Sequence, residues 1–232
     1  MKVGDNEVKD ILIGDTQVLK VYRGEDVVWE KSVSPLPSGY RQVEYLQSSG
    51  TQWINTLVTP DTSTGIYMDF QVLQMSGAYA VGMFHLNNFR FCPLVVRINK
   101  IQYEAKLSPQ TFIDYGNFDT NRHSVYYNYD NDLKVLYDGV EKEAIGSLGT
   151  SSTFAIYLFS RNNNGVVNGT TPTRFYNVRL KKQGDIVRNF IPCLDTNNTP
   201  CMFDLVTRQP FYNQGTGTFG YETMDGTIVS PT

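Results

Sequence analysis

Catalytic residue types are scarce in this chain of 232 residues: only His85 and His123 are present, and neither lies in a serine or cysteine nucleophile motif. Three cysteines do not make a disulfide framework. Cys193 and Cys201 are near enough in sequence to pair if their strands meet, and Cys92 is left over; the simplest reading is buried reduced thiols. No apolar run approaches the roughly 18 residues of a membrane span, and the longest, 154–159 and 93–96, are strand-sized. The first residues, Met1-Lys2-Val3-Gly4-Asp5, lack the apolar core of a signal peptide, so synthesis in a cytosol without Sec export is expected. Basic excess is also missing. The formal net charge is −3 with both signs scattered, which leaves no footprint for nucleic acid. No long segment carries a 3.6-residue apolar period, so helices are not expected.

Aromatic residues and turn formers are plentiful: Tyr 15, Phe 13 and Gly 19, with 41% hydrophobic residues overall. That mixture suits strands and turns and supplies enough apolar surface for a core. Residues 43–55 read as a strand, a Ser48-Ser49-Gly50 turn and a second strand. Residues 66–72 alternate, with Ile66, Met68, Phe70 and Val72 inward. Strands are expected at 79–84, 89–98 and 101–105, separated by Asn87-Asn88 and Asn99-Lys100 turns. Further strands are expected at 123–129 and 133–137, the second ending in an Asp138-Gly139 type I′ turn. Residues 154–161 read as a buried central strand and 161–173 as a long polar loop, followed by strands at 175–181 and 186–193 around a Gln183-Gly184-Asp185 turn. About a dozen strands at this spacing predict an all-β sandwich or jelly roll.

The opening segment carries a repeat. Gly4-Asp5, Gly14-Asp15 and Gly24-Glu25 recur every ten residues, each a turn signal between short extended runs. The pattern predicts a three-stranded antiparallel meander over 1–31 with Ile11, Ile13, Leu19, Val21, Val27 and Trp29 on one face. So small a sheet cannot cover that face by itself. It must dock on the larger domain, on copies of itself or on a partner, which makes it a candidate anchoring and oligomerisation module. Residues 32–39, rich in Pro and Ser, read as a linker, 40–224 as the main domain and 225–232 as a C-terminal tail.

Two blocks carry a resemblance. The first runs from Leu36-Pro37-Ser38-Gly39-Tyr40 through Val43-Glu44-Tyr45-Leu46-Gln47 to Gln52-Trp53-Ile54-Asn55. The second comprises Arg174-Phe175-Tyr176-Asn177-Val178, Val187-Arg188-Asn189-Phe190-Ile191-Pro192-Cys193, Phe203-Asp204-Leu205 and Phe211-Tyr212-Asn213-Gln214-Gly215-Thr216-Gly217. Together they resemble the concanavalin A-like (laminin-G-type) jelly-roll domains of phage and prophage structural proteins and of gut-bacterial surface proteins. The repeat in front of them is similar to short modules of phage tail and virion proteins. The resemblance implies a jelly-roll sandwich on a virion protein, a fibre, tail or capsid decoration with a lectin-like domain. The implied partners are other virion proteins, further copies of the chain such as a trimer, and a host cell-surface polysaccharide. The alternative is a bacterial carbohydrate-binding or adhesion protein.

Glycan binding needs an aromatic platform ringed by amides. Tyr79 and Tyr127 are the candidate rings, with His85, Asn87, Arg161, Asn162 and Asn163 as polar partners; core or sheet-face packing is the alternative for the tyrosines. A glycosidase would need two carboxylates flanking the sugar bond. The nearest approach, Glu141-Lys142-Glu143, sits just after a hairpin, so no enzyme is expected. No cofactor is expected either; Asp130, Asn131 and Asp132 are the nearest cluster for Ca²⁺, and a solvated turn explains them as well.

Overall fold

The computed structural model describes residues 34–75, 77–84, 90–107, 110–142 and 151–232, and within 1–33 the strand segments only. His85, Asn87 and Leu19, and the expected turn at Asn87-Asn88, lie outside the described residues. The chain divides into two compact units, Met1–Pro37 and Ser38–Thr232, the boundary falling inside the Pro- and Ser-rich stretch.

In the first unit, three antiparallel pairs form: Lys2–Val3 with Asn6–Glu7, Ile11–Ile13 with Thr16–Val18, and Lys20–Arg23 with Asp26–Glu30. The innermost register pairs are Val3↔Asn6, Ile13↔Thr16 and Arg23↔Asp26. A connection of two residues pairs odd positions with even ones. Ile11 and Ile13 therefore stand opposite Val18 and Thr16, and Val27 opposite Tyr22. Val21 stands opposite Trp29 because the register steps past Val28. The side chains of the expected apolar face, Ile11, Ile13, Leu19, Val27 and Trp29, lie outside those described.

The second unit is all-β, with two large sheets enclosing one core. The larger sheet runs in the order Val140–Glu141, Val135–Tyr137, Arg122–Tyr127, Gly65–Val72, Thr173–Lys182, Asp185–Leu194, Arg41–Gln47, Gly220–Thr223 and Ile228–Val229. Pro200–Asp204 and Gln209–Tyr212 extend it from Asp185–Leu194. The smaller sheet runs Gln110–Asn117, Lys100–Leu107, Arg90–Arg97, Ala78–Phe84, Ser160–Asn163 and Val166–Asn168. Period-2 alternation sorts the side chains: in Gly65–Val72, Ile66, Met68, Phe70 and Val72 are fully buried, whereas Tyr67, Asp69 and Gln71 are half-buried. Aromatic rings bridge the sheets. Phe91 and Tyr103 of the smaller sheet meet Tyr127 of the larger edge-on at 5.4 and 5.6 Å, and Tyr115 stacks on Tyr137 at 5.1 Å.

Several expected elements are rearranged. Residues 43–55 are not a hairpin: Arg41–Gln47 pairs with three other strands, and Ile54–Asn55 pairs with Tyr157–Leu158. The run 154–161 is broken at Phe159, whose φ of 64° lets its ring pack on Phe175 and Phe219, each at 4.7 Å. The polar stretch after it is a hairpin, Ser160–Asn163 with Val166–Asn168, turning at Asn164-Gly165. Gln110–Asn117 is a strand that no expectation covered. Residues 225–232 are no free tail, since Ile228–Val229 joins the large sheet and the Thr232 carbonyl accepts a bond from Gln52 Nε2 at 2.8 Å. The Asp138-Gly139 turn forms as expected, with φ of 50° and 75° closing the pair Tyr137↔Val140.

The turn between Arg90–Arg97 and Lys100–Leu107 falls one residue earlier than expected, on Ile98-Asn99, because Arg97 pairs with Lys100. Both turn residues have positive φ, 51° and 56°, and Ile98 is 72% exposed. A β-branched side chain in that region is strained by roughly 1–2 kcal/mol. Ile98→Asn is expected to raise unfolding stability by about 1 kcal/mol, seen as a higher urea midpoint at constant slope. A lower midpoint would mean that the Ile98 side chain makes a compensating contact.

Candidate functional site

Beyond Gly50, the chain crosses from the large sheet and runs alongside 213–216. Thr51 Oγ1 donates to the Thr216 carbonyl at 3.1 Å, Gln214 N donates to the Trp53 carbonyl at 2.9 Å, and Trp53 N donates to Asn213 Oδ1 at 3.1 Å. The approach is close enough that a Cβ on Gly215 would lie 1.9 Å from the Thr51 carbonyl oxygen, so only glycine fits there. This pairing sets residues 55–57 opposite 207–214, and an open groove of about 460 Å³ lies between them. That volume falls in the range of small-ligand sites.

One wall is Asn55 and Leu57. Thr56 is buried and bonds the Ile156 carbonyl through both N and Oγ1, while Ile156 N donates back to the Val58 carbonyl at 2.9 Å. Leu57 is thereby thrown outward between two anchored neighbours, with φ of 59° and 63% exposure. Asn55 Oδ1 accepts its N–H at 2.9 Å and holds the conformation. An exposed leucine in left-handed backbone is a feature that folding alone does not favour.

The facing wall is Gln209, Pro210, Phe211 and Tyr212, and Thr207 and Gln214 complete the lining. Tyr212 is 39% exposed, and its hydroxyl donates to Asp195 Oδ2 at 2.9 Å, which fixes the ring. Burial and that carboxylate both raise the phenol's pKa. Burial pushes the Asp195 carboxyl up, but bonds from Thr199, Tyr212 and Asn197 outweigh it and leave its pKa lowered.

Arg188 completes the groove. Its Nε donates to the Thr56 carbonyl at 3.0 Å, its Nη1 to the Val187 carbonyl at 2.7 Å, and its guanidinium lies 5.4 Å from the Phe211 ring centre. Asp204, fully buried, stands 3.7 Å from Nε and balances the charge. Both Asp204 oxygens are occupied, Oδ1 by Asn189 N and Val206 N, Oδ2 by the N and Oγ1 of Thr207. That carboxylate is a brace and not a free base. The groove therefore offers an apolar and aromatic surface, several amides and a neutralised guanidinium. Such a set offers a surface for stacking and groups for hydrogen bonding.

The described residues expected to bind glycan, Tyr79, Tyr127, Arg161, Asn162 and Asn163, do not line this groove. Tyr79 and Arg161 do meet, the guanidinium carbon 3.7 Å from the ring centre, but that contact covers a ring face and Arg161 is bonded to Asn168 Oδ1 at 2.5 Å. The Tyr79 hydroxyl points to buried Glu104 at 3.4 Å, which also pairs with Arg90. Tyr127 is fully buried among Phe91 and Tyr103 and presents no platform to solvent. Asn162 is buried too, its amide donating to the Ala155 carbonyl and accepting from Gly165 N, so it shapes the hairpin. Asn163 is half-buried on the same hairpin. Segments 52–55 and 211–217 supply Asn55, Phe211, Tyr212 and Gln214 of the lining, but nothing in either one marks the groove, because it arises only where chain segments meet.

The acidic turn is also committed. Asp130 binds Lys181 Nζ at 2.5 Å, and Asp130 and Asp132 both lie 3.0 Å from the Tyr126 hydroxyl. Among the described residues no group of three His, Cys, Asp or Glu is placed to hold a metal ion. No protein-family model matches the chain, and no curated protein does.

His123 is clamped between carboxylates, with Nδ1 2.7 Å from Asp138 and Nε2 2.8 Å from Asp119, and its ring is stacked on Tyr137 at 4.8 Å. Burial lowers its pKa, but the bonds to Asp138 and Asp119 outweigh this and raise it. A folded pKa above the unfolded value, about 6.5, gives stabilisation that is full at lower pH and disappears as pH rises through the folded value. The melting temperature is expected to fall across that window, less so at high salt, and His123→Gln to flatten the fall. A His123→Gln variant with the parent's full pH slope would place its origin elsewhere.

Proposed function

We propose that this chain is a virion display protein whose sandwich unit binds a neutral host-surface polysaccharide in the groove between Leu57 and Tyr212. The observation that carries this reading is Leu57, held out at φ 59° and 63% exposure against the opposing aromatic wall. Natural cores bury leucine in relaxed backbone, so an exposed, strained one beside a ligand-sized groove favours a binding role. A sugar ring would lay its C–H face on Leu57 or Tyr212. Its hydroxyls would reach Asn55, Gln209 and Gln214, and the balanced Arg188–Asp204 pair favours a neutral sugar over an acidic one.

The virion setting is supported by the resemblance of the two blocks to phage jelly-roll domains. A separate small unit, Met1–Pro37, in front of the sandwich fits an anchor joined to a display domain. Other virion proteins and further copies of the chain are the partners this reading assigns to the anchor.

Two experiments test the proposal. On an array of host cell-surface polysaccharides the full chain should bind a neutral glycan. Tyr212→Ala should weaken that binding about tenfold, a loss of about 1.4 kcal/mol. Leu57→Asn separates function from folding: it should weaken binding while raising stability by about 1 kcal/mol, since Asn tolerates positive φ. Undiminished binding by both variants would dismiss the groove. Removal of residues 1–37 should abolish incorporation into particles, and normal incorporation would end the anchoring reading.

A further inference from the structure

Cys193 and Cys201 face each other as a register pair between Asp185–Leu194 and Pro200–Asp204. Their sulfur atoms are 3.4 Å apart and both side chains are fully buried. Directly paired residues on antiparallel strands hold their Cα atoms about 4.5–5.5 Å apart, inside the span a disulfide requires. Closing the sulfurs to about 2.05 Å is then a side-chain movement. The pair is eight positions apart in sequence and spans a turn already closed by Asp195, whose Oδ1 accepts from Asn197 N and Thr199 N, each at 2.8 Å. Cys92 lies in Arg90–Arg97 of the other sheet.

We propose that Cys193 and Cys201 form an oxidative modification site, converted to an intramolecular disulfide by a low-molecular-weight disulfide such as oxidised glutathione. One thiolate attacks the glutathione disulfide, forming a mixed disulfide and releasing one reduced glutathione. The second thiolate then attacks the protein sulfur of that mixed disulfide and releases the other. The protein loses two protons and two electrons, and one oxidised glutathione becomes two reduced ones. The adjacent Cys193 sulfur and burial raise the Cys201 thiol far above its ordinary pKa, which keeps the native pair slow to react. The bond therefore forms rapidly during folding, or slowly through opening of the hairpin.

The bond has a consequence for the groove. Cys201 is paired on its other side with Tyr212, whose hydroxyl is held by Asp195 from the turn that the bond would brace. Oxidation thus tightens the aromatic wall. The chemistry itself does not depend on what the groove binds.

The test uses the full chain, refolded with mixed oxidised and reduced glutathione or kept in dithiothreitol. Thiols counted in denaturant should fall from three, the total in the sequence, to the single one of Cys92. Peptide mapping should join 193 to 201, and the melting temperature should rise by about 5 °C. A Cys92→Ala variant should form the same bond, and a Cys193→Ala, Cys201→Ala double variant should show no response to glutathione. Three thiols persisting after oxidative refolding would overturn the proposal. So would a crosslink that includes Cys92, or a disulfide form that melts below the reduced one. Mapping of the unsubstituted chain decides the matter even if a variant fails to fold.

Discussion

The second unit depends on one buried amide. Gln52 is fully covered, and its Oε1 accepts from Ser48 Oγ, Ser49 N and Ser49 Oγ while its Nε2 donates to the carbonyls of Thr218 and Thr232. One side chain thus ties the end of the first large-sheet strand to two segments more than 160 positions away. A buried amide with both ends satisfied specifies geometry more strongly than an apolar contact, because any other arrangement leaves polar atoms unpaired. It turns residues 48–53 out of the large sheet, so that 54–55 pairs with 157–158 and does not fold back on 41–47.

That constraint explains where strain collects. With Thr56 and Val58 both bonded to Ile156, Leu57 bridges them in a backbone region that leucine avoids. Phe159 also has a positive φ, 64°, yet its ring is fully buried against Phe175 and Phe219, so packing offsets the cost. Leu57 has no such compensation, being mostly exposed. The difference between the two is what marks the groove and not the core as the place to look for function.

Elements whose information is local were legible in the sequence. The alternation of 65–72 and the Asp138-Gly139 and Gln183-Gly184 turns were readable because side-chain period and glycine chemistry act over a few residues. Non-local choices were not. Ser48-Ser49-Gly50 has the composition of a hairpin turn, but Gln52 redirects it through partners at 218 and 232. The strand Gln110–Asn117 was hidden because only Tyr115 among its described side chains is fully committed to the core, and Gly116 dilutes the pattern. Two of the glycan candidates illustrate a related point: composition shows that Tyr127 and Asn162 suit a site, but only the fold shows that the core and a turn engage them.

The groove also shows how one wall can be made rigid and the other adaptable. The 209–212 wall is backed by Pro200–Asp204, by the Asp195 bond to Tyr212 and by the saturated Asp204 brace under Arg188. Its rings therefore lose little freedom when a ligand arrives, which favours affinity from modest contact area. The 55–57 wall holds its backbone by three bonds to Ile156 and one to Asn55, but leaves the Leu57 side chain free of the core. A fixed aromatic surface opposite a single movable aliphatic group suits a ligand of repeating, similar units, where register along the groove matters less than the stacking face. The polysaccharide proposed for the groove is a ligand of that kind.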